Sequence, residues 1–243
     1  NAGLRGGILY HDGQFDDARY AISLLRTFQD LGGTAINYVE AIGLLQQDGK
    51  TAGIRARNCE EDSHFDLHAK VVINASGVFT EEILAMDGMA RGSLLAVSQG
   101  SHFVLPHSFL PGGTALMIPK TADGRVLFAI PWHGVTLVGT TDEAVERTSP
   151  EPRSLASERK FLFDHITRYF GRRPQPEEIQ SVWSGLRPLV REGNGKTSKL
   201  SRDHKVLVSK SGLVTVTGGK WTTYRLMGQD AVDHAANVAG LAK

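Results

Sequence analysis

Cysteine is almost missing from this chain of 243 residues: Cys59 is the single one, so no internal disulfide and no cysteine-rich zinc site can form. Flanked by acids in Arg57-Asn58-Cys59-Glu60-Glu61, it reads as an ordinary thiol, and the chain as a protein of a reducing, cytoplasmic compartment. Net charge is nearly missing too. With 27 Lys+Arg against 26 Asp+Glu the balance is +1, which argues against a nucleic-acid binder that works by broad phosphate neutralisation. No apolar run approaches the roughly 20 residues of a membrane helix, and no signal-peptide pattern opens the chain. Asn1 stands where a methionine would begin a gene product, which suggests an excised or processed piece. Also absent are a nucleophile elbow, a P-loop, an HExxH helix and clustered metal ligands, so no metal site is expected. Gly3, Gly6 and Gly7 lack the spacing of a dinucleotide-binding GxGxxG turn and follow no strand.

What is present is globular. Hydrophobic residues make up 41% and there are 27 glycines, a composition that excludes disorder, collagen or a coiled coil for the whole chain. Residues 12–33 predict a helix: Asp16-Asp17 favour its start, Ala18, Ala21, Ile22, Leu25 and Phe28 share a face, and Gly32-Gly33 stop it. Two β-rich segments, 34–45 and 51–57, meet across Gln47-Asp48-Gly49-Lys50, a hairpin signal. A third strand over 67–75 ends in Val71-Val72-Ile73, an apolar run suited to burial on both faces. From Leu94 to Asp142 short strands alternate with tight turns at Pro111-Gly112-Gly113, Asp123-Gly124 and His133-Gly134, which predicts an antiparallel sheet in a second lobe. A helix over 154–170, a strand pair over 203–208 and 213–217, and a helix from Trp221 to Val238 follow. The order of elements predicts an α/β (α+β) fold with no internal repeat.

The segment from Leu213 to Tyr224 is the most informative. A strand runs into Gly218-Gly219-Lys220 and then into a helix, so small residues, unpaired N–H groups and a full positive charge meet at one point. That arrangement can stabilise an anion; a Gly-Gly turn with a solvated lysine explains the same residues. Asn74-Ala75-Ser76-Gly77 closes the earlier strand in a similar way, as a packed strand exit or as a ligand edge. Arg187 interrupts the apolar stretch Gly185-Leu186-Arg187-Pro188-Leu189 and needs a partner, either a carboxylate of the protein or an anionic ligand. Arg202 sits beside Asp203, a candidate for a plain ion pair or for an anion site. His102, on an apolar strand after Ser98-Gln99-Gly100-Ser101, is either structural or a base near neutral pH; His133 reads as a turn residue.

In order along the chain, Gly6-Gly7-Ile8-Leu9-Tyr10-His11-Asp12-Gly13-Gln14-Phe15-Asp16-Asp17-Ala18-Arg19 is followed by Asn74-Ala75-Ser76-Gly77 and Ser98-Gln99-Gly100-Ser101-His102. Then come Ala129-Ile130-Pro131-Trp132, Val138-Gly139-Thr140-Thr141-Asp142, Gly185-Leu186-Arg187-Pro188-Leu189, Ser201-Arg202-Asp203-His204 and Gly218-Gly219-Lys220-Trp221-Thr222-Thr223-Tyr224-Arg225. Together these blocks resemble the FAD-dependent, respiratory glycerol-3-phosphate dehydrogenases over nearly the whole chain. The resemblance implies a D-amino-acid-oxidase-like flavoprotein. Residues 1–90 would be part of an FAD-binding lobe, 91–204 an antiparallel-sheet substrate lobe, and 205–243 a return to the first. It implies oxidation of sn-glycerol 3-phosphate to dihydroxyacetone phosphate, with electrons passed to quinone at a peripheral position on the inner membrane. A glycerol-3-phosphate oxidase using O₂ and a truncated, non-catalytic binding module are the alternatives.

By the same resemblance, Arg187, Arg202 and Lys220 surround the substrate. His102, Arg187 and Lys220 carry the catalysis, with His102 as base and Lys220 also answering charge on the reduced flavin ring. Ala75, Ser76, Gly77, Gly218, Gly219, Lys220, Trp221 and Thr222 line the FAD. The family's GxGxxG unit and its carboxy-terminal helical domain have no counterpart in this sequence, so weak or absent FAD binding is expected of the chain alone.

Overall fold

The computed structural model describes residues 5–90, 92, 94–121, 124–191 and 203–241. Helix α1 spans Asp17–Asp30; the Asp16 carboxylate caps it by accepting from the Arg19 N–H at 2.9 Å. Strands β1 (Val39–Gln47) and β2 (Lys50–Asn58) form the expected hairpin. Its turn residues Asp48 and Gly49 both hold positive φ, 51° and 73°, the backbone whose twist suits the flanking strands. Strand β3 (Ser63–His68) pairs with β2 and completes an antiparallel sheet in the order β1-β2-β3.

The chain then changes sheets, so the single strand predicted over 67–75 is in fact two. Strand β4 (Ile73–Asn74) lies elsewhere, and Val71 and Val72 are only half-buried while Ile73 is exposed. A 3-10 turn (Gly77–Phe79) and helix α2 (Thr80–Met86) follow.

Next come β5 (Leu95–Pro106), β6 (Leu116–Ile118), β7 (Leu127–Trp132), β8 (Val135–Gly139), β9 (Glu143–Ala144), helix α3 (Ala156–Phe170) and β10 (Ser181–Val190). These strands make one antiparallel sheet in the order β10-β5-β8-β7-β6, with β9 pairing along β5 beyond the end of β8. The chain closes with β11 (His204–Val208), β12 (Val214–Gly218), a 3-10 turn (Trp221–Thr223) and helix α4 (Tyr224–Ala239). Strand β12 pairs antiparallel with β11 and parallel with β4, so the first and last parts of the chain share a sheet.

Side-chain alternation along β5 decides where the core sits. Phe103 and Leu105 point to the face covered by α3, joining Leu127, Ala129, Val138, Leu162 and Ile166, all fully buried. Each of the larger of these side chains stabilises the fold by roughly 1.5–3 kcal/mol through burial. Helix α1 behaves otherwise. Its apolar stripe is only partly covered: Ile22, Leu25 and Phe28 are 52%, 47% and 49% exposed.

Candidate active site

The face of the five-stranded path opposite α3 is open, and β-register lines residues up across it. Met117, Phe128, Gly139, His102 and Trp183 are successive neighbours from β6 to β10. Two residues along β5 from His102 lies Gly100, opposite Gly185; two further lies Ser98, opposite Arg187. Because a strand alternates with period two, His102, Gly100 and Ser98 share this face with Trp183, Gly185 and Arg187.

His102 lies flat on Trp183, with ring centroids 4.0 Å apart and planes 8° from parallel. On its other side is Gly139, where a Cβ would overlap the imidazole. The Nδ1 atom of His102 is buried without a hydrogen-bond partner. Burial first, and the nearby Arg187 charge second, depress its pKa from 6.5 to about 4, so the ring is neutral at physiological pH.

Arg187 is set by an interruption in the sheet. Strands β8 and β9 both pair with β5, and Thr140–Asp142 turns between them. The Arg187 Nη2 donates to Thr140 Oγ1 at 2.9 Å, and Nη1 to the Thr141 carbonyl at 3.4 Å and Ser98 Oγ at 3.5 Å. The Asp142 carboxylate stands 3.7 Å from Nη1 and also accepts from Ser98 Oγ. Of the two partners open to Arg187 from sequence, the protein thus supplies the carboxylate. The guanidinium lies over Gly100, where a Cβ would overlap it, and the side chain stays 28% exposed toward the open face.

Beside this sheet, two strand exits stand next to each other. The parallel register sets Val214 against Ile73 and Thr215 against Asn74, so Ala75-Ser76-Gly77 and Gly218-Gly219-Lys220 leave adjacent carboxyl ends, where open α/β sheets take ligands. Buried Asn74 braces the first exit, donating to the Thr80 carbonyl at 3.0 Å and accepting from Ser76 Oγ at 2.6 Å. Strand β10 packs against both β12 and the Gly77–Phe79 turn, which brings the strand of Arg187 alongside.

The glycines differ in purpose. A Cβ on Gly77 (φ 58°) meets nothing within 4 Å, so that backbone faces open space. A Cβ on Gly218 (φ 76°) would press on the Asp203 carbonyl at 2.7 Å and on Val190 at 2.9 Å, and one on Gly219 (φ 80°) would overlap Met227. Close approach at these two glycines is to the protein's own atoms. Lys220, Trp221 and Thr222 are exposed at the start of α4, and Tyr20 of α1 joins them through an edge contact with Trp221 and a 2.5 Å hydroxyl contact with Tyr224.

Arg202 lies outside the described residues. His133, at φ 44°, is a turn residue between β7 and β8 as expected. The sequence reading missed Trp183, Gly100, Gly139, Thr140 and Asp142, whose roles depend on register. The apolar company of Trp183 and the pair of threonines before Asp142 were the only signals. Among the described residues no group of three His, Cys, Asp or Glu could hold a metal, and no helix is long and apolar enough to cross a membrane.

Comparison with known proteins adds the chemistry. Residues 1–225 match the family described as FAD dependent oxidoreductase. A mitochondrial glycerol-3-phosphate dehydrogenase of Arabidopsis thaliana is 42% identical over 236 residues, covering 96% of this chain and 37% of that protein. A probable mitochondrial glycerol-3-phosphate dehydrogenase of Caenorhabditis elegans is 40% identical over 247 residues, with 99% and 34% covered. The solved glycerol-3-phosphate dehydrogenase of Bacillus halodurans, complexed with FAD, superposes with a TM-score of 0.82 at 30% identity, covering 94% of this chain and 44% of that one. The chain therefore spans between a third and a half of the length of these relatives.

Proposed function

The chain belongs to the FAD dependent oxidoreductases, and on that premise we propose that it forms the substrate-facing part of an enzyme oxidising sn-glycerol 3-phosphate to dihydroxyacetone phosphate. The observation that carries the proposal is the shared open face: His102 and Arg187 lie on one side of one sheet, alongside two strand exits built of small residues.

The exits suit FAD. Gly77 opens on empty space, and Ala75, Lys220, Trp221 and Thr222 are accessible at the carboxyl ends of neighbouring parallel strands. Ala75, Ser76, Gly77, Gly218, Gly219, Lys220, Trp221 and Thr222 would hold the cofactor, with Gly218 and Gly219 acting by letting the turn close on Val190 and Met227. The chemistry a bound FAD would supply is a hydride acceptor for C2 of the alcohol. Residues 1–90 and 205–243 would then form the cofactor side, joined through the β4–β12 pair, and residues 91–204 the substrate side.

The remaining work falls to this chain's side chains. Arg187 would hold the phosphate, with Lys220 and Arg202 adding charge; a guanidinium and an ammonium suit a dianion. His102 would take the proton of the C2 hydroxyl. It enters the reaction neutral, as a base must, and a phosphate dianion arriving nearby raises its proton affinity from the depressed resting value. Trp183 and Gly139 hold its ring in one plane.

Electrons would pass on to quinone. Peroxide measured with and without added quinone checks this, since a large peroxide yield makes O₂ the acceptor instead. The substrate assignment is tested in the full-length protein by Arg187→Ala. Losing a charge-assisted contact should raise KM for glycerol 3-phosphate between about tenfold and a hundredfold. Unchanged kinetics would remove Arg187 from the site.

A further inference from the structure

Glu158 is fully buried in the first turn of α3, on the face of the sheet away from Arg187. Its carboxylate accepts three hydrogen bonds: from Gln99 Nε2 at 2.7 Å, from the Leu155 N–H at 2.7 Å and from Thr141 Oγ1 at 2.5 Å. Thr141 Oγ1 in turn accepts from the Ser101 N–H at 2.7 Å. The Thr140–Asp142 turn is thereby tied from below to β5 and α3. From above, the same turn presents Thr140 Oγ1, the Thr141 carbonyl and the Asp142 carboxylate to Arg187. A buried carboxylate is retained against a desolvation penalty only where its hydrogen bonds are satisfied; here the Leu155 bond caps α3, while the Thr141 and Gln99 bonds fix this turn and the strand beneath it.

We propose that Glu158 is a positioning residue, which through Thr141 sets the pose of the Arg187 guanidinium on the opposite face of the sheet. The proposal rests on the reading of Arg187 as the holder of the substrate phosphate. Replacing the carboxylate by an amide keeps its volume but offers a donor where Glu158 offers only acceptors. With the amide oxygen kept toward the two donors Gln99 Nε2 and Leu155 N–H, the new NH2 faces Thr141 Oγ1, which must then accept rather than donate, and the acceptors under Arg187 shift.

The test uses the full-length, FAD-loaded protein with Glu158→Gln, Thr141→Val and Arg187→Ala, alone and combined. Thr141→Val removes the link while leaving the buried carboxylate in place, so the question survives if Glu158→Gln folds poorly. KM and kcat for glycerol 3-phosphate are measured, together with the calorimetric Kd of inorganic phosphate as a readout apart from turnover. Glu158→Gln and Thr141→Val should each raise KM and the phosphate Kd by about tenfold, with kcat held within about twofold. Added to Arg187→Ala, either should change KM by less than about twofold, because the group they position is gone.

If Arg187→Ala raises KM while both other variants leave it unchanged, or if their penalties add in full, the positioning role is overturned and the substrate reading stands. A fall in kcat at constant KM also overturns the positioning role. If Arg187→Ala alters neither KM nor the phosphate Kd, the substrate reading fails and takes this inference with it.

Discussion

The pH dependence of stability should carry the mark of His102. Its imidazole titrates near 4 in the folded protein against an ordinary 6.5, chiefly because burial penalises the charged ring and secondly because Arg187 is close. A depressed folded pKa means that the unfolded chain binds the proton more readily. Above about pH 6.5 neither state is protonated at this site and nothing is lost; as the pH falls toward 4, stability drains away. At pH 5 the unfolded imidazole is almost fully charged and the folded one almost fully neutral, a difference of about 2 kcal/mol relative to pH 7.5. With a urea m-value of about 2 kcal/mol/M, the midpoint should fall by about 1 M more in the parent than in His102→Gln over that interval. Other groups titrate alike in both proteins and cancel in the comparison. Lost stacking on Trp183 offsets the variant's curve at every pH and leaves its slope alone. Two parallel curves would show that His102 is not held neutral by its surroundings, and the description of its environment would be wrong.

Three further outcomes follow from packing and charge. Gly100→Ala places a methyl group where the Arg187 guanidinium and Thr140 Oγ1 lie, so it should destabilise the protein by about 1–3 kcal/mol and raise KM for glycerol 3-phosphate, read by urea titration and steady-state kinetics. Leu162→Ala, at a fully buried position under the sheet, should lower stability by about 2–5 kcal/mol in the same titration while barely moving KM. Glu81 feels an upward push from burial, yet the N–H groups of Leu94, Gly92 and Leu95, with the charge of Arg191, bring its pKa below 4.5. Its stabilisation is present above about pH 4.5 and lost as the pH falls through the folded value, so the advantage of the parent over Glu81→Gln should fade in acid denaturation.

Local chemistry was legible in the sequence wherever a short segment decides its own conformation. Asp48-Gly49 encodes its hairpin, Asp16 its helix start, and the short strands from 95 to 139 their antiparallel sheet. What failed depends on the rest of the molecule. Apolar spacing puts Ile22, Leu25 and Phe28 on one helix face, but spacing cannot say how far that face is covered, and each stays about half exposed. Val71-Val72-Ile73 reads as the end of one buried strand because periodicity is blind to a change of sheet. In the site, Arg187 and His102 drew notice as polar groups in apolar strands, and the family resemblance supplied their roles. Their placement on one face, the clearances at Gly100 and Gly139, and the tie from Glu158 all arise from pairing register. Register is a long-range property that no short window contains.

The parallel pair β4–β12 has a consequence for how the molecule is made. It joins residues 141 positions apart, such as Asn74 and Thr215, whereas the large antiparallel sheet closes mostly through nearer connections. During vectorial synthesis the stretch ending at Asn74 emerges long before its mate leaves the ribosome, and closing so long a loop is entropically slow. The sheet carrying Arg187 and His102 is thus set to mature first. The two glycine exits come together only after β12 has emerged, later than the strands of that sheet.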